Sequence, residues 1–257
     1  MAIQLNDRDL LIFKLIDEHR VLLEKHISWF ISGDDKPVLI RDRLRKLFYL
    51  DYLLCHRHGT KLPWWTTPTK PLVYMLSPMS RSLAGAVEDE VDLFDSNIQR
   101  HYLEVANLRM LGMMDQKDGL LSNFEWKTVR TDGQKTAIDA TMSFQNNGRN
   151  LKIGIINHPD ATTELIACLD ESAKDNDAIL IVCRDDAHLQ SLQKSIAQSG
   201  SQSSRKCIFA THHELYRAGL IKAQLLNCEG KAVEMFSIPT AAAAAPWATA
   251  IPATISA

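Results

Sequence analysis

The chain lacks most of the motifs that would name a chemistry. No P-loop, no G-x-G-x-x-G and no G-x-S-x-G occurs in its 257 residues, which removes the common phosphate-cradling loops and the hydrolase elbow. Cysteine is sparse: Cys55, Cys168, Cys183, Cys207 and Cys228 are scattered, odd in number and without a C-x-x-C. That spacing suggests neither a disulfide framework nor a zinc site, and small buried hydrophobes are the expected role. No apolar run reaches the length of a membrane span. The opening M-A-I-Q-L-N-D-R-D has neither the charged start nor the apolar core of a secretory signal, so a cytoplasmic protein with no membrane partner is expected.

What is present is an ordinary 46% hydrophobic content, enough for one large or two small domains, and an uneven charge. The net charge is −2. Residues 1–83 hold 13 Lys+Arg against 9 Asp+Glu, or +4; the remainder holds 29 − 13 = 16 basic and 31 − 9 = 22 acidic residues, or −6. An anionic partner is expected at the N-terminal third. Its basic residues concentrate in K-P-V-L-I-R-D-R-L-R-K-L-F-Y-L-D, 36–51. Asp35 and Pro37 signal a helix start there. Ile40, Leu44, Leu47 and Phe48 give the helix an apolar face, while Arg41, Arg43, Arg45 and Lys46 occupy the others. A short basic helix with a buried back is what readers of the DNA major groove present; a solvated surface helix is the bland alternative.

The surroundings favour the reader. Asn6 caps a first helix, and Val21 to Ile31 reads as a second. Tyr52–His58 and P-L-V-Y-M-L-S, 71–77, read as two strands of a hairpin, followed by a helix with Ser77 as cap and Pro78 at its first position. Three helices and a hairpin make a winged helix-turn-helix, with Arg57, His58, Lys61 and Lys70 on or beside the wing, where phosphate contact is the natural role. Trp64 and Trp65 in the wing loop can pack on the domain, line a partner interface or lie against a sugar-phosphate edge, packing being the favoured role.

This order resembles the replication-relaxation family and the related MobC-type mobilisation proteins of plasmids and integrative elements. The resemblance rests on L-N-D-R-D-L-L-I-F-K-L-I (5–16), Arg41-Asp42-Arg43-Leu44-Arg45-Lys46-Leu47, and Tyr74-Met75-Leu76-Ser77-Pro78-Met79-Ser80, where Ser80 replaces the family's glycine. It covers the first third best. The family's H-x-L-x-V-N segment is similar to His101–Asn107 with one extra residue; a helix histidine satisfied by a neighbour is the plainer reading of His101.

Beyond an acidic connector at 84–96, the pattern is helix (97–114), three strands from Phe124, Thr136 and Asn150, helix (161–174), a buried strand A-I-L-I-V-C, helix (187–198), strand C-I-F-A, a short helix from His212 and a closing hairpin around Glu229-Gly230. The order α-β-β-β-α-β-α-β is that of the restriction-endonuclease-like core, which the MobC-type proteins resemble. Its chemistry requires an Asp on the second strand and an acidic group on the third to hold Mg²⁺. Asp139 occupies the first position. The third strand carries Lys152 but no acid, and Asp160 follows it. An inactive scaffold with no cofactor is expected; the alternative is a MobC-like or metal-dependent nicking enzyme using Asp139, Lys152 and Asp160 with Mg²⁺. His212-His213 reads as a helix start, and His56-Arg57-His58 lacks the hydrophobic centre of a relaxase histidine cluster. The Ala-rich stretch 240–257 has no core-forming composition and is expected to be disordered.

The expectation is therefore an α+β / α/β chain: a winged helix-turn-helix (1–83), the connector (84–96), a restriction-endonuclease-like mixed-sheet domain (97–239) and a tail. Its expected partner is double-stranded DNA, bound as a homodimer, in the role of a regulator or a mobilisation or replication accessory factor of a plasmid or mobile element, with other proteins of that element as further partners. A winged helix that binds only protein is the remaining alternative.

Overall fold

The structure is a computed structural model and describes residues 4–34, 37–85, 92–129, 138–160, 163–234 and 236. Asp35, residues 86–91 of the acidic connector and the Ala-rich tail lie outside these residues. The fold is mixed α and β. Among the described residues it has eight α-helices, a three-stranded antiparallel sheet and a five-stranded mixed sheet.

The N-terminal layer holds α1 (Asp7–His19), β1 (Leu22–Leu23), α2 (Glu24–Ser32), α3 (Pro37–Tyr49), β2 (Leu53–Arg57), β3 (Leu72–Leu76) and α4 (Pro78–Ala84). The capping of α1 is reciprocal: Asn6 Oδ1 accepts from the Asp9 N–H (3.0 Å), and an Asp9 carboxylate oxygen accepts from the Asn6 N–H (2.9 Å). Ser77 caps α4 with Pro78 at its first position, as the sequence implies. One expectation changes. The second helix starts at Glu24, not Val21, because Leu22 and Leu23 pair with Tyr74 and Val73 as a short strand, giving the order β1-β3-β2. Arg20, at φ +64°, makes the turn that frees them from helical continuation. Both leucines are buried, so pairing combines a ladder with core burial.

The second layer follows the expected order: α5 (Ser96–Lys117), β4 (Ser122–Thr128), β5 (Ala140–Asn146), β6 (Arg149–Asn157), α6 (Thr163–Asp175), β7 (Ala178–Cys183), α7 (Asp186–Gln198), a 3-10 turn (Gln202–Lys206), β8 (Cys207–Thr211) and α8 (His212–Ala218). The sheet runs β4-β5-β6-β7-β8, antiparallel through β6 and parallel from β6 to β8. β7 is buried along its whole length because both sheet faces are covered. Ile179 and Ile181 pack with Leu169, Leu189 and Leu192 of α6 and α7; Leu180 and Val182 pack with Val105 and Leu108 of α5 and Leu215 of α8.

Helix α5 joins the two layers. Ala106 enters the core of α1–α3, Leu103 enters a cluster with Trp64 and Val73, and Val105, Leu108 and Leu111 face the large sheet. It is buried on several sides rather than along one stripe.

Candidate nucleic-acid interface

Helix α3 packs through Ile40, Leu44 and Leu47, all essentially inaccessible. The opposite side carries Asp42, Arg45, Lys46 and Tyr49, all exposed, at the i, i+3, i+4, i+7 spacing of one helix face. Tyr49 is 75% exposed, the most exposed of the large hydrophobic side chains described, and the sequence reading passed over it because it carries no charge. Phe48, assigned from its spacing to the apolar face, is 40% exposed at the edge of that face.

The four basic residues of α3 divide into different roles. Arg45 is 61% exposed, with Asp42 3.8 Å away and equally solvated, and Lys46 is exposed. Arg41 lies outward but forks onto Glu24 of α2, its Nε 3.2 Å from both carboxylate oxygens and its Nη2 2.9 Å from one. Arg43 does not face outward. Its guanidinium donates to both oxygens of Asp9, a carboxylate with no accessible surface at the start of α1. Burial alone would raise the Asp9 carboxyl, but the bonds from Arg43 and the Asn6 N–H outweigh it and hold the group below its ordinary value. The pair fixes the roll of α3 on α1 and is not available to phosphate.

The hairpin is similarly divided. Arg57, Lys61 and Lys70 are exposed. Arg57 donates to the Lys70 carbonyl at 2.9 Å, and Lys70 Nζ to the Gly59 carbonyl, so the two cations also hold the mouth of the 58–71 loop together. His58 is fully buried, its ring nitrogens 2.8 Å from the Thr60 carbonyl and 3.2 Å from that of Ser96, which corrects its expected phosphate role. The loop lies back on the second layer: Trp64 is buried and its ring is 4.8 Å from that of His212 on α8. Trp65 Nε1 donates to the Thr69 carbonyl at 2.6 Å. Packing is therefore the observed role of Trp64.

In the second layer, Asp139 just precedes β5. One carboxylate oxygen accepts from His101 Nε2 of α5 (2.9 Å) and the other from the Asn157 N–H of β6 (2.7 Å). Burial lowers the His101 pKa and the Asp139 bond raises it, with a net rise. The plain reading of His101, satisfied by a neighbour, is the one observed. Lys152 does not meet Asp139: it pairs with Ser143, four residues along β5 and about 13 Å away at strand spacing. Asp160 is 85% exposed and faces Arg184 at 3.7 Å. A nearby buried acid, Glu104, is held by Arg100 (2.8 Å), the Asn157 amide (3.1 Å) and His158 Nδ1 (3.1 Å). Asp139 and Glu104 have their oxygens bonded to protein donors and Asp160 stands in solvent, so the three do not assemble a Mg²⁺ site, and among the described residues no group of three or more His, Cys, Asp or Glu side chains is arranged to hold a metal. Comparison with family models and with curated proteins finds no match to this chain.

Proposed function

We propose that the chain is a double-stranded DNA-binding protein that reads a duplex with the outward face of α3, in the manner of a winged helix-turn-helix. The observation that carries this is the exposed stripe Asp42, Arg45, Lys46 and Tyr49 on a helix whose back is locked by Ile40, Leu44, Leu47 and the Arg43–Asp9 pair. A helix fixed on one side and cationic on the other suits groove entry. Arg57, Lys61 and Lys70 supply phosphate contact from the hairpin. The second layer, read as a restriction-endonuclease-like body, acts as a scaffold or dimerisation body. With the resemblance to replication-relaxation and MobC-type proteins, this supports a regulator or mobilisation accessory role, acting as a dimer on two half-sites.

The test is selection of a duplex from a random pool, followed by titration across salt concentrations. Arg45→Ala weakens the selected duplex by about 1–3 kcal/mol relative to a scrambled one. Lys46→Ala weakens both alike and flattens the salt slope by about one unit. If both variants bind as the parent does, α3 is not the reader. If the parent shows no salt-dependent affinity for any duplex, the fold serves protein contact instead.

A further inference from the structure

Five cysteines that look scattered in sequence include two that the fold sets against each other. Phe209 of β8 and Leu226 form a reciprocal antiparallel pair, each N–H donating to the other's carbonyl at 2.8 and 2.9 Å. Two residues outward along each segment stand Cys207 and Cys228. The ladder itself ends there, because the Cys207 N–H donates to the Ser204 carbonyl and 227–230 is a turn closed by the Gly230 N–H on the Asn227 carbonyl. Beyond it, the side chains converge on one turn. Cys207 Sγ donates to the Ser203 carbonyl (3.4 Å) and Cys228 Sγ to the adjacent Ser204 carbonyl (3.2 Å), both on the 3-10 turn before β8. Cys228 also packs on the hydrophobic cluster that contains Cys207. Cys183 is not a competing partner, because it pairs with Thr211 at the far end of β8.

We propose that Cys207 and Cys228 are a reversible disulfide site, oxidised by exchange with a low-molecular-weight disulfide such as oxidised glutathione. Cys228 is half-buried and reachable; Cys207 is 1% exposed. The Cys228 thiolate attacks one glutathione sulfur and expels a glutathione thiolate. The Cys207 thiolate then attacks Cys228 Sγ of the mixed disulfide and expels the second. Two protein thiols become one disulfide, and one oxidised glutathione becomes two thiols, with the two protein protons passing to them. Burial pushes the Cys207 thiol up to about 12 and the Cys228 thiol upward, so exchange is slow near neutrality and quickens with rising pH.

The bond would tie down the segment that covers the outer edge of β8. Along β8 that cover is held by the Phe209–Leu226 pair and by Gln193 Nε2 donating to the Asn227 carbonyl, with Leu225 buried beneath it. Gln224 and Leu226 of the same segment wall a cavity of about 400 Å³ at the carboxyl ends of β7 and β8, with Arg184, Thr211 and His213 on its other sides. Oxidation would fix that wall in place.

The experiment treats the native full-length chain with oxidised glutathione, alkylates remaining thiols, and maps peptides by mass spectrometry. The expected result is one Cys207–Cys228 peptide pair lighter by two hydrogens, reversed by dithiothreitol, with a melting temperature several degrees higher in the oxidised form. Closing a loop of about 20 residues acts in that direction. Cys228→Ser should abolish both the crosslink and the oxidant-dependent melting shift. Cys207→Ala, which keeps the reachable thiol, should stop at a glutathione adduct on Cys228. Absence of the crosslinked peptide from the native parent, or its formation only in denaturant, would overturn the proposal.

Discussion

At the residue scale, the question is why like residues on one helix do unlike work. At about 100° per residue, Ile40, Leu44 and Leu47 define the buried direction of α3 and Arg43 lies only about 65° from it. Its guanidinium therefore meets the buried Asp9, while Arg45 and Lys46 clear the surface. Removing Arg43 leaves an unpaired carboxylate with no accessible surface. Arg43→Ala is expected to destabilise the fold by about 3 kcal/mol, the low end for a broken buried pair because Arg43 is partly exposed. Arg45→Ala should stay within about 0.5 kcal/mol of the parent. Urea unfolding of the two variants measures the difference, and equal stabilities would remove the structural role given to Arg43. This division was partly legible in the sequence. Helix phase alone sets Tyr49 nearly opposite the buried direction. The destination of Arg43 was not, because Asp9 lies 34 positions away and serves first as a capping residue of α1.

At the element scale, the strand and helix order of both layers could be read from periodicity and turn residues, apart from β1, whose two residues are too short to show a period. The boundary between the layers could not. α5 looks like the first helix of a second domain, yet its buried surface is divided among three clusters, and its polar residues reach back. Asn107 lies 2.8 Å from His26 Nε2 of α2, Arg109 donates to Glu18 at 3.0 Å and stacks on Phe30, and Lys117 pairs with Asp34 at 2.9 Å. Sequence pattern shows which positions are apolar but not how many neighbours will share them. A fragment ending at Asp95 therefore lacks part of its own core, including Leu103 and Ala106. The expectation is that residues 1–95 show no cooperative melt, that residues 1–117 regain one, and that the full chain unfolds in a single transition by calorimetry. A cooperative melt of the shorter fragment would restore the boundary at the connector.

At the scale of the whole molecule, histidines buried within and between the two layers set how the protein responds to acid. Burial lowers His26 to about 4, His158 to about 3 and His212 to about 4, and takes His19 well below its ordinary value. Arg100 adds to the depression of His158 and His212, and Arg109 to that of His19. His158 and His212 each bury an Nε2 without a partner, so an added proton there would find no acceptor among the described residues. In the unfolded chain these rings take up protons near pH 6.5, whereas in the native state His26, His158 and His212 do so only near 3 to 4 and His19 well below its ordinary value. The unfolded state then binds more protons throughout that window, so stability rises with pH and falls as pH drops from about 6.5 toward 4. Each histidine contributes up to about 1.4 kcal/mol per pH unit. His101 acts in the opposite sense, since its raised value favours the native state below its folded pKa, but it is one group against four. Stability from urea unfolding should therefore decline steeply between pH 6.5 and pH 5, and His26→Gln, which keeps a donor toward Asn107, should make that decline shallower. A stability profile flat across this range would mean that these histidines are not held neutral in the native protein.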